Sequence, residues 1–449
     1  MKYKFAIVNP KARNVLLTEP LNIIILATYL KEFGISVKII DEVAGDDVMS
    51  AIESFKPDLV GFTATTCAYP RALQLLKTVK SMGYLTIIGG VHASTLPEKA
   101  IEDGFDMVLV GEGEKTLLSI ITKGEKKGIF KATRQDILKN EEICLPDRKL
   151  INMNFYLNSK NRLAYDANLE FVPYGQRMAS MLTSRGCPFS CIFCHNTWRG
   201  TPIRVLSPEA IISEIEELMR EHGVRYFLFL DDDFFQIKSR VVKFCELLLG
   251  GNIKINWATA ARADSLDDEV LRISSRAGCR RLSFGFESGS QRILDVLNKK
   301  TSVEKNFIAA KLCNKYNIGV LGLFMIGNPT ETKADIQLTW KFIKSTPLDS
   351  VAISTTTPFP GTQLWKWCQD KGYIHQDLDF SDFYFTFAPI QMPETFTPAE
   401  ILRIKRRLIA KIYLFLPKIR MKFIINFLRN PLVMFQRISN YVPFMSNKD

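Results

Sequence analysis

The sequence predicts an α/β protein with two successive sheet domains and a helical C-terminal region. Short apolar runs alternate with helical patterns over residues 1–125, which is typical of a doubly wound, Rossmann-like parallel sheet covered on both faces. A second alternation begins near residue 180 and contains six strand–helix units, which predicts a partial (β/α)6, TIM-like barrel. The last 60 residues carry no strand pattern.

Five candidate strands in the first region and six in the second define the expected sheets. The first five cover residues 4–8, 36–40, 58–62, 85–88 and 106–110. The six barrel strands cover residues 180–184, 225–230, 256–260, 281–286, 320–326 and 351–355. Helical patterns, such as those over 21–33, 69–82, 208–221 and 238–249, lie between the strands.

These patterns divide the chain into four regions. A domain over 1–125 is followed by a linker over 126–178, the barrel over 179–365, and a mostly helical, basic and amphipathic region over 366–449. The linker is irregular, and we expect it to pack on both of its neighbours.

The composition is that of an ordinary soluble protein. With 47% hydrophobic and 24% charged residues, it excludes a disordered chain, a collagen-like repeat and a small disulfide scaffold. No apolar stretch is long enough to predict a spanning helix, and the N-terminal apolar run is too short for a signal peptide. We therefore expect a cytoplasmic protein, in which a tight group of cysteines binds metal rather than forming disulfides.

Three cysteines form the sharpest motif. Cys187, Cys191 and Cys194 follow a predicted strand at Cys-x3-Cys-x2-Cys spacing. Thiolates hold iron–sulfur clusters or zinc. Three of them can bind three irons of a 4Fe–4S cluster and leave the fourth iron open. His195 follows at once and could complete a zinc site, which usually needs four protein ligands.

This loop resembles the cluster-binding motif of the radical S-adenosylmethionine (SAM) superfamily, Cys-x3-Cys-x-aromatic-Cys. Phe193 fills the aromatic position, which lies near the adenine of SAM in that family. The resemblance implies a 4Fe–4S cluster on Cys187, Cys191 and Cys194, with SAM on its open iron. Reductive cleavage of SAM would then yield a 5′-deoxyadenosyl radical, with a flavodoxin or ferredoxin as the electron donor.

Polar residues after later strands match other segments of that superfamily. Asp231, Asp232 and Asp233 follow the second barrel strand, at a position where relatives receive the amino group of SAM. A solvated acidic turn or a helix N-cap is the alternative. Glu287 lies in a segment similar to the family's Gly-x-Glu-Ser-Gly and is expected to contact SAM or the groups that orient it. Arg262 is a candidate for the SAM carboxylate, with a surface salt bridge as the alternative.

The fifth barrel strand ends in a turn over residues 327–332 that resembles the family's Gly-x-Pro-x-Glu-Thr. Gly327 is accordingly expected to border SAM, whereas Asn328 stands where many relatives have an apolar residue. Turn chemistry explains each such Gly/Pro segment singly. It does not explain why these segments occur in the order typical of the family.

Glycine-bearing segments that begin at Gly61, Gly89 and Gly111 occur at the ends of three predicted strands of the N-terminal domain. This series resembles the cobalamin-binding domain that precedes the barrel in one radical SAM subfamily. Glycines at strand ends let a bulky ligand approach the backbone. No Gly-x-Gly-x-x-Gly follows the first strand, which argues against a dinucleotide site. The residues implied to contact cobalamin are Thr63, Thr65, Gly89, Gly90, His92, Gly111 and Glu112.

The loop after the first strand, residues 9–14, contains no histidine, although many cobalamin domains have a cobalt-ligating histidine there. We therefore expect no histidine ligand to cobalt from this position, and a weak lower donor should favour methyl transfer as a radical. His92 lies in a different loop, and a satisfied loop histidine is the alternative role for it.

The C-terminal region carries most of the net charge of +12. Residues 401–449 contain 11 Lys and Arg against one acidic residue, so the rest of the chain is nearly neutral. Such basic amphipathic helices could lie on an anionic membrane surface, or could pack their apolar faces on the barrel. A nucleic-acid partner is the weaker candidate.

The motifs together predict a cobalamin-dependent radical SAM enzyme that uses a 4Fe–4S cluster, SAM and cobalamin. Methyl transfer to an unactivated carbon of a small-molecule, natural-product or lipid substrate is expected, because it is the commonest reaction of the subfamily. The alternatives are a non-methylating oxidative cyclisation or rearrangement, a tRNA modification, and a non-catalytic cobalamin or SAM sensor. The expected location is the cytoplasm, with peripheral contact at the inner face of the membrane.

Overall fold

A computed structural model describes residues 3–12, 17–158, 171–173, 175–195, 201–374, 378–383, 390, 392, 396–429 and 431. Within these ranges, two six-stranded parallel sheets follow one another along the chain. A short two-stranded ribbon is inserted between the first and second strands of the second sheet, and a pair of helices closes the described part. The α/β class and the order of domains predicted from the sequence are confirmed.

The first sheet has the strand order β2-β1-β3-β4-β5-β6, and every neighbouring pair is parallel. The direction of winding therefore reverses between β1 and β3, the position at which such sheets bind ligands. The strands are β1 (Lys4–Asn9), β2 (Ser36–Asp41), β3 (Leu59–Thr63), β4 (Thr86–Gly89), β5 (Met107–Val110) and β6 (Gly128–Lys131). The helices are α1 (Leu21–Glu32), α2 (Val48–Phe55), α3 (Tyr69–Ser81), α4 (Val91–Thr95), α5 (Pro97–Glu102) and α6 (Glu114–Lys123).

Both faces of this sheet are buried, which explains its nearly continuous apolar strands. Along β1, Phe5 and Ile7 pack into one core with α1, whereas Ala6 and Val8 pack into a second core on the opposite face. Successive side chains of a strand point to opposite faces, so only a doubly covered sheet requires apolar residues at every position.

Strand β6 lies beyond the predicted domain boundary at residue 125. It pairs in parallel with β5 along its full length of four residues. None of its four side chains is fully buried, so the sequence there has no apolar run of the kind that predicts a strand. The region predicted as a linker from residue 126 thus begins with the edge strand of the first sheet.

The second sheet has the strand order β14-β13-β12-β11-β10-β7 and is also parallel throughout. Strands β7 and β14 are its two edges, so the six predicted units form a partial barrel. The strands are β7 (Met178–Met181), β10 (Tyr226–Phe229), β11 (Asn256–Ala261), β12 (Cys279–Glu287), β13 (Gly319–Ile326) and β14 (Ser350–Thr355). The helices that follow are α8 (Pro208–His222), α9 (Lys238–Gly250), α10 (Asp268–Arg276), α11 (Gln291–Val296), α12 (Val303–Lys315) and α13 (Lys333–Ser345).

The first barrel strand differs from its predicted range of 180–184. The chain leaves the sheet after β7 and forms a separate short strand, β8 (Ser184–Arg185). β8 pairs in antiparallel fashion with β9 (Arg204–Val205). This ribbon closes the base of the loop that carries the three cysteines, so the predicted single strand is two strands with different partners.

The linker packs on both neighbours, as expected. Arg148 is buried, and its Nη2 lies 2.6 Å from Glu214 Oε1 on α8. Its Nη1 lies 3.7 Å from Glu19 Oε1, next to the first sheet. The hydroxyl of Tyr156, in the short helix α7 (Met153–Leu157), donates to Asp41 at the end of β2 with a distance of 2.6 Å.

The helices after the last strand are α14 (Gln363–Asp370), α15 (Pro398–Phe415) and α16 (Pro417–Arg429). α14 packs with Ile192 and Phe193 of the cysteine loop, whereas α15 and α16 lie against the barrel. Ile401 and Leu408 of α15 pack with Ile326, while Ile419 of α16 joins the main barrel core. The sequence-based alternative of packing on the barrel is therefore confirmed for one face of this region. None of the helices in the described ranges has the length and apolar character needed to cross a bilayer.

Candidate functional site

A cavity of about 290 Å³ opens between the carboxyl ends of the first sheet and the segment that leads into the cysteine loop. On one side its rim consists of loop residues from the first domain: Thr63, Gly89, Gly90, Gly111 and Glu112. On the other side it consists of residues from the barrel: Ser184, Arg185, Gly186, Leu230 and Asp232. Its deeper part is an apolar slot between the sheet and helices α1 and α6, lined by residues such as Phe5, Ile23, Leu26, Leu109 and Leu117.

Two glycines shape the rim through backbone conformations that other residues rarely adopt. Gly90 has φ +92° and Gly111 has φ +94°. A Cβ at Gly90 would lie 3.0 Å from Thr63 Oγ1 and 3.1 Å from the backbone N of Ala64. Close approach of the β3 and β4 loops therefore needs glycine at position 90. This close contact brings the ends of β3 and β4 together at the rim of the cavity.

Five of the seven residues predicted to contact cobalamin line this cavity, but Thr65 and His92 do not. Thr65 Oγ1 lies 3.3 Å from Cys67 Sγ in the β3 loop. His92 is fully buried, with its ring 4.0 Å from Tyr69 and 4.7 Å from Phe380 between ring centroids. Neither nitrogen of its ring has a hydrogen-bond partner within the described ranges. Burial lowers the pKa of His92 to about 4, so the imidazole is neutral at physiological pH.

The cysteine loop is tied to the barrel by backbone and amide hydrogen bonds. Asn298 Nδ2 donates to the carbonyl oxygen of Ser190 at 2.8 Å and to its Oγ at 3.0 Å. The backbone N of Ile192 donates to the carbonyl of Leu297 at 3.1 Å. The backbone N of Leu364, at the start of α14, donates to the carbonyl of Ile192 at 2.8 Å. The loop is therefore held from two sides, between the segment after α11 and the start of α14.

Cys191 is buried, Cys187 is half-buried and Cys194 is exposed. Three thiolate donors on one anchored loop suit the three protein-bound irons of a 4Fe–4S cluster. Nowhere in the described ranges do three or more His, Cys, Asp or Glu side chains come together closely enough for a single metal ion.

Charged side chains surround the aromatic residue of this loop. Lys299 Nζ lies 2.8 Å from Glu287 Oε1 and 5.7 Å from the ring centroid of Phe193. Glu287 has φ +60° at a point where the pairing of β12 with β13 shifts register. The guanidinium of Arg262 lies 3.5 Å from the ring centroid of Phe189, and its Nη2 donates to the carbonyl of Lys299 at 2.9 Å. The predicted residues Phe193, Glu287 and Arg262 thus converge, and Lys299, which sequence reasoning left without a role, links all three.

The three aspartates after β10 have different roles. Asp231 is buried and accepts from the backbone N of Thr183 at 2.7 Å and from its hydroxyl at 2.6 Å. Asp233 caps a short 3₁₀ helix, Phe234–Gln236. Asp232 borders the cavity and has an exposed side chain. Loss of hydration on the protein side, and then the charge of Asp231, raise the pKa of Asp232. Asp233 therefore acts as a helix cap, Asp231 is engaged with Thr183 in the interior, and Asp232 is the member that a ligand can reach.

The turn after β13 is closed by a buried carboxyl group. Glu331 Oε2 accepts from the backbone N of Gly327 at 2.7 Å, and its Oε1 accepts from Asn328 Nδ2 at 3.1 Å. Asn328 Oδ1 in turn accepts from the hydroxyl of Thr356 at 2.8 Å, which joins the ends of β13 and β14. Burial raises the pKa of Glu331 to about 7. A Cβ at Gly327, where φ is +78°, would lie 2.8 Å from Ile401 Cδ1, so this glycine also lets α15 approach.

Comparisons with known proteins agree with this geometry. The model of the radical SAM superfamily matches residues 181–343, and that of the B12 binding domain matches residues 13–121. An uncharacterized methyltransferase of Pyrococcus horikoshii, PH0819, is 31% identical over 433 residues, which cover 90% of this chain and 89% of that protein. The chain belongs to the radical SAM enzymes with a cobalamin-binding domain. It is therefore an enzyme, and its cofactors are a 4Fe–4S cluster, SAM and cobalamin.

Other relatives of this radical SAM enzyme differ in their reactions. The anaerobic magnesium-protoporphyrin IX monomethyl ester cyclase of Rubrivivax gelatinosus is 27% identical, over 84% of this chain and 70% of that protein. The hopanoid C-3 methylase of Methylococcus capsulatus is 26% identical, over 84% of this chain and 73% of that protein. The structure of the cobalamin-dependent radical enzyme OxsB with aqua-cobalamin bound has the same fold, with a TM-score of 0.70 at 18% identity over 92% of this chain and 67% of that one. Methyltransferases among these relatives support methyl transfer.

Proposed function

We propose that this enzyme methylates an unactivated carbon of a small-molecule, natural-product or lipid substrate. The observation that carries the proposal is the single cavity that joins the cobalamin-type loops to the segment before the cysteine loop. A substrate in or beside this cavity would have access to both halves of the site. When bound, the cluster and SAM supply a carbon-centred radical, and cobalamin supplies the methyl group.

The residues of the barrel would hold and orient SAM. Cys187, Cys191 and Cys194 would bind the cluster, and Phe193 would lie against the adenine. The exposed carboxylate of Asp232 is the best candidate for the amino group of SAM, because Asp231 already accepts two hydrogen bonds from Thr183.

Two further charged groups would help to position SAM. Glu287 is paired with Lys299, and this pair lies beside the cysteine loop. Arg262 packs on Phe189 and donates to the carbonyl of Lys299. These contacts support a role in anchoring the cysteine loop and not a direct contact with the SAM carboxylate. Gly327 would shape the turn next to α15.

The first domain would hold cobalamin over its glycine rim. Thr63, Gly89, Gly90, Gly111 and Glu112 would contact the ligand, while the apolar slot beneath would exclude water from any part of it that enters. We assign this role to the predicted domain over 1–125 together with strand β6. Thr65 and His92 would support the loops from behind, because neither lines the cavity.

The second candidate is an oxidative cyclisation without methyl transfer. It is favoured by the cyclase of R. gelatinosus, which matches 84% of this chain. Both reactions would use the same radical, so the residues around the cysteine loop do not distinguish them.

The test begins with anaerobic reconstitution of the full chain, followed by assays of iron and of bound cobalamin. The reduced protein should then cleave SAM to 5′-deoxyadenosine, and SAM labelled in its methyl group should transfer label to extracted products. Cys191→Ala should abolish cleavage, whereas Cys144→Ser, a half-buried thiol outside the loop, should retain it. Cleavage without label in any product would favour the cyclase alternative. Absence of cleavage by the reconstituted wild type would overturn both.

We also propose that the C-terminal helices contact the inner face of an anionic membrane, and that a flavodoxin or ferredoxin supplies the electron. Large apolar side chains are exposed along the end of α15 and along α16: Tyr413, Leu414, Phe415, Met421, Ile424, Ile425, Phe427 and Leu428. Exposed cations lie on the same helices, among them Arg407, Lys411, Lys418 and Arg420. This combination of apolar and cationic side chains supports contact with anionic lipid. It would also bring the enzyme close to a lipid substrate.

A further inference from the structure

Four charged side chains join the two domains where the cysteine loop begins. Arg185 is on β8, directly before the cysteine-bearing residues 186–195, and its partner in the ribbon is Arg204 on β9. Glu112 lies between β5 and α6, and Glu114 is the first residue of α6. Arg185 Nη2 lies 2.7 Å from Glu114 Oε1, and its Nη1 lies 3.6 Å from Glu112 Oε1. Arg204 Nη1 pairs with the same oxygen of Glu112.

This interdomain ion cluster, Arg185, Arg204, Glu112 and Glu114, is shielded from solvent and balanced in charge. Its side chains are only 12%, 7%, 2% and 6% exposed, respectively. Buried ions are tolerated when they are paired, and removal of one member leaves an uncompensated charge in a poorly hydrated place. If either domain loop moved away from the other, the paired charges would separate. The separated charges would then be poorly hydrated, which makes such movement unfavourable.

The cluster also lies at the boundary of the cavity. Glu112, Glu114 and Arg185 all line it, and Arg185 precedes Cys187 by only two residues. The second oxygen of Glu112 accepts from the backbone N of Leu138 at 3.2 Å, which ties the cluster to the linker as well. A shift of the cysteine loop relative to the glycine rim would therefore disturb the ion pairs among these four side chains.

We propose that the interdomain ion cluster sets the distance between the cysteine loop and the cobalamin cavity, with Arg185 as its central positioning residue. The inference rests on the proposed function, because it concerns the alignment of the two cofactors. A misplacement of about 1 Å between reacting groups can lower a rate on the order of 100-fold. An arginine that pairs with two carboxylates is suited to such alignment, because the planar guanidinium restricts direction as well as distance.

The first test uses the metal-free full chain and therefore does not depend on turnover. Glu114→Gln keeps the size of the side chain and removes its charge, and Lys31→Gln breaks a comparable interregional pair, Lys31–Asp147, at the surface. Hydrogen exchange should become faster in peptides covering 111–118 and 184–206 for Glu114→Gln only. The double variant Glu114→Arg/Arg185→Glu should restore part of the protection. Equal exchange in Glu114→Gln and Lys31→Gln would overturn the inference.

The second test measures alignment in the loaded enzyme. With reductant and added cobalamin, SAM can yield two products. S-adenosylhomocysteine would report transfer of the methyl group to cobalamin, and 5′-deoxyadenosine would report cleavage at the cluster. Glu114→Gln should lower the ratio of the first product to the second by on the order of 100-fold, because only methyl transfer needs the two domains aligned. Lys31→Gln should leave the ratio unchanged. If the wild type forms neither product, the proposed function fails; if it forms both and Glu114→Gln keeps their ratio, only this inference fails.

Discussion

The side-chain amide of Asn298 donates to both the carbonyl oxygen and the hydroxyl of Ser190, at 2.8 and 3.0 Å. This contact spans 108 residues and fixes the centre of the cysteine loop to the segment that follows the fourth barrel strand. Asn298 has φ +51°, a left-handed conformation that asparagine adopts more readily than most residues. Backbone conformation and hydrogen bonding thus both favour asparagine at this position.

We predict that Asn298→Gly loosens the cysteine loop without straining the backbone. Loss of two half-buried hydrogen bonds should cost about 1–3 kcal/mol, and the loop should release iron faster. Iron content and visible absorbance after gel filtration of the reconstituted protein measure this. Asn317→Gly is the matched control, because Asn317 also has a left-handed φ of +54° but lies far from the loop in sequence. Equal iron retention in both variants would contradict the prediction.

Neighbouring aspartates should give opposite results when each is changed to asparagine. Asp231→Asn should lower the free energy of unfolding by about 1–3 kcal/mol, because the carboxylate accepts two hydrogen bonds from Thr183 in a buried place. Asp232→Asn should change it by less than about 0.5 kcal/mol, since its side chain is exposed. It should instead weaken SAM binding about tenfold, the effect of a lost hydrogen bond to a charged group. Urea unfolding and SAM titration of the reconstituted protein separate the two effects, and a reversed pattern would refute the assignment.

The buried carboxyl of Glu331 should make stability depend on pH. Its pKa is raised from 4.5 to about 7 in the folded chain, so the folded state keeps a proton that the unfolded state releases. Stability from this group is therefore greatest below about pH 4.5 and declines as the pH rises to about 7, by about 3 kcal/mol in all. Glu331→Gln mimics the protonated form, so its free energy of unfolding should rise relative to that of the wild type as the pH rises from 5 to 7.5. A difference in unfolding free energy that stays constant over this range would count against the raised pKa.

His92 should behave as a buried neutral group and not as a ligand to cobalt. Its pKa is lowered from 6.5 to about 4, so its contribution to stability is present above pH 6.5 and declines as the pH falls toward 4. His92→Leu should remove this dependence, as measured by unfolding at pH 5 and pH 7.5. It should also leave the EPR spectrum of bound cob(II)alamin unchanged. A spectrum that changes on substitution would show that His92 reaches the cobalt.

The exposed apolar residues at the end of the described chain should promote membrane binding. The triple variant Leu414→Gln, Phe415→Gln and Leu428→Gln should float at least tenfold less with phosphatidylglycerol vesicles than the wild type. Their side chains are 64%, 55% and 75% exposed, so little packing is lost. Ile308→Gln with Leu338→Gln is the control, because these side chains are also exposed, at 47% and 46%, but lie on other helices. Equal flotation of both variants, or no flotation of the wild type, would rule the proposal out.

Much of the fold follows from local patterns. Alternating apolar runs and helical periods predict the two parallel sheets, because the period of each element is encoded within a few residues. Strand β6 escapes this reasoning, since its side chains are only partly buried and its pairing with β5 depends on a sheet already formed. The division of the first barrel strand into β7 and β8 escapes it for the same reason, because β8 takes its partner from β9, 19 residues further on.

The sequence by itself determined the family, the cofactors and the three cysteines. The spacing of ligands along one loop is set by the order of residues in the chain and can therefore be read without the fold. Only the tertiary structure decided which of three adjacent aspartates faces the cavity and that His92 is sealed between aromatic rings. It also decided that Glu112, which lines the cavity, is paired with Arg204, which lies 92 residues away. Charges and hydrogen-bond donors find their partners across the folded chain. Which polar side chain stays open to a ligand is therefore settled by packing between distant segments, and no local pattern carries that information.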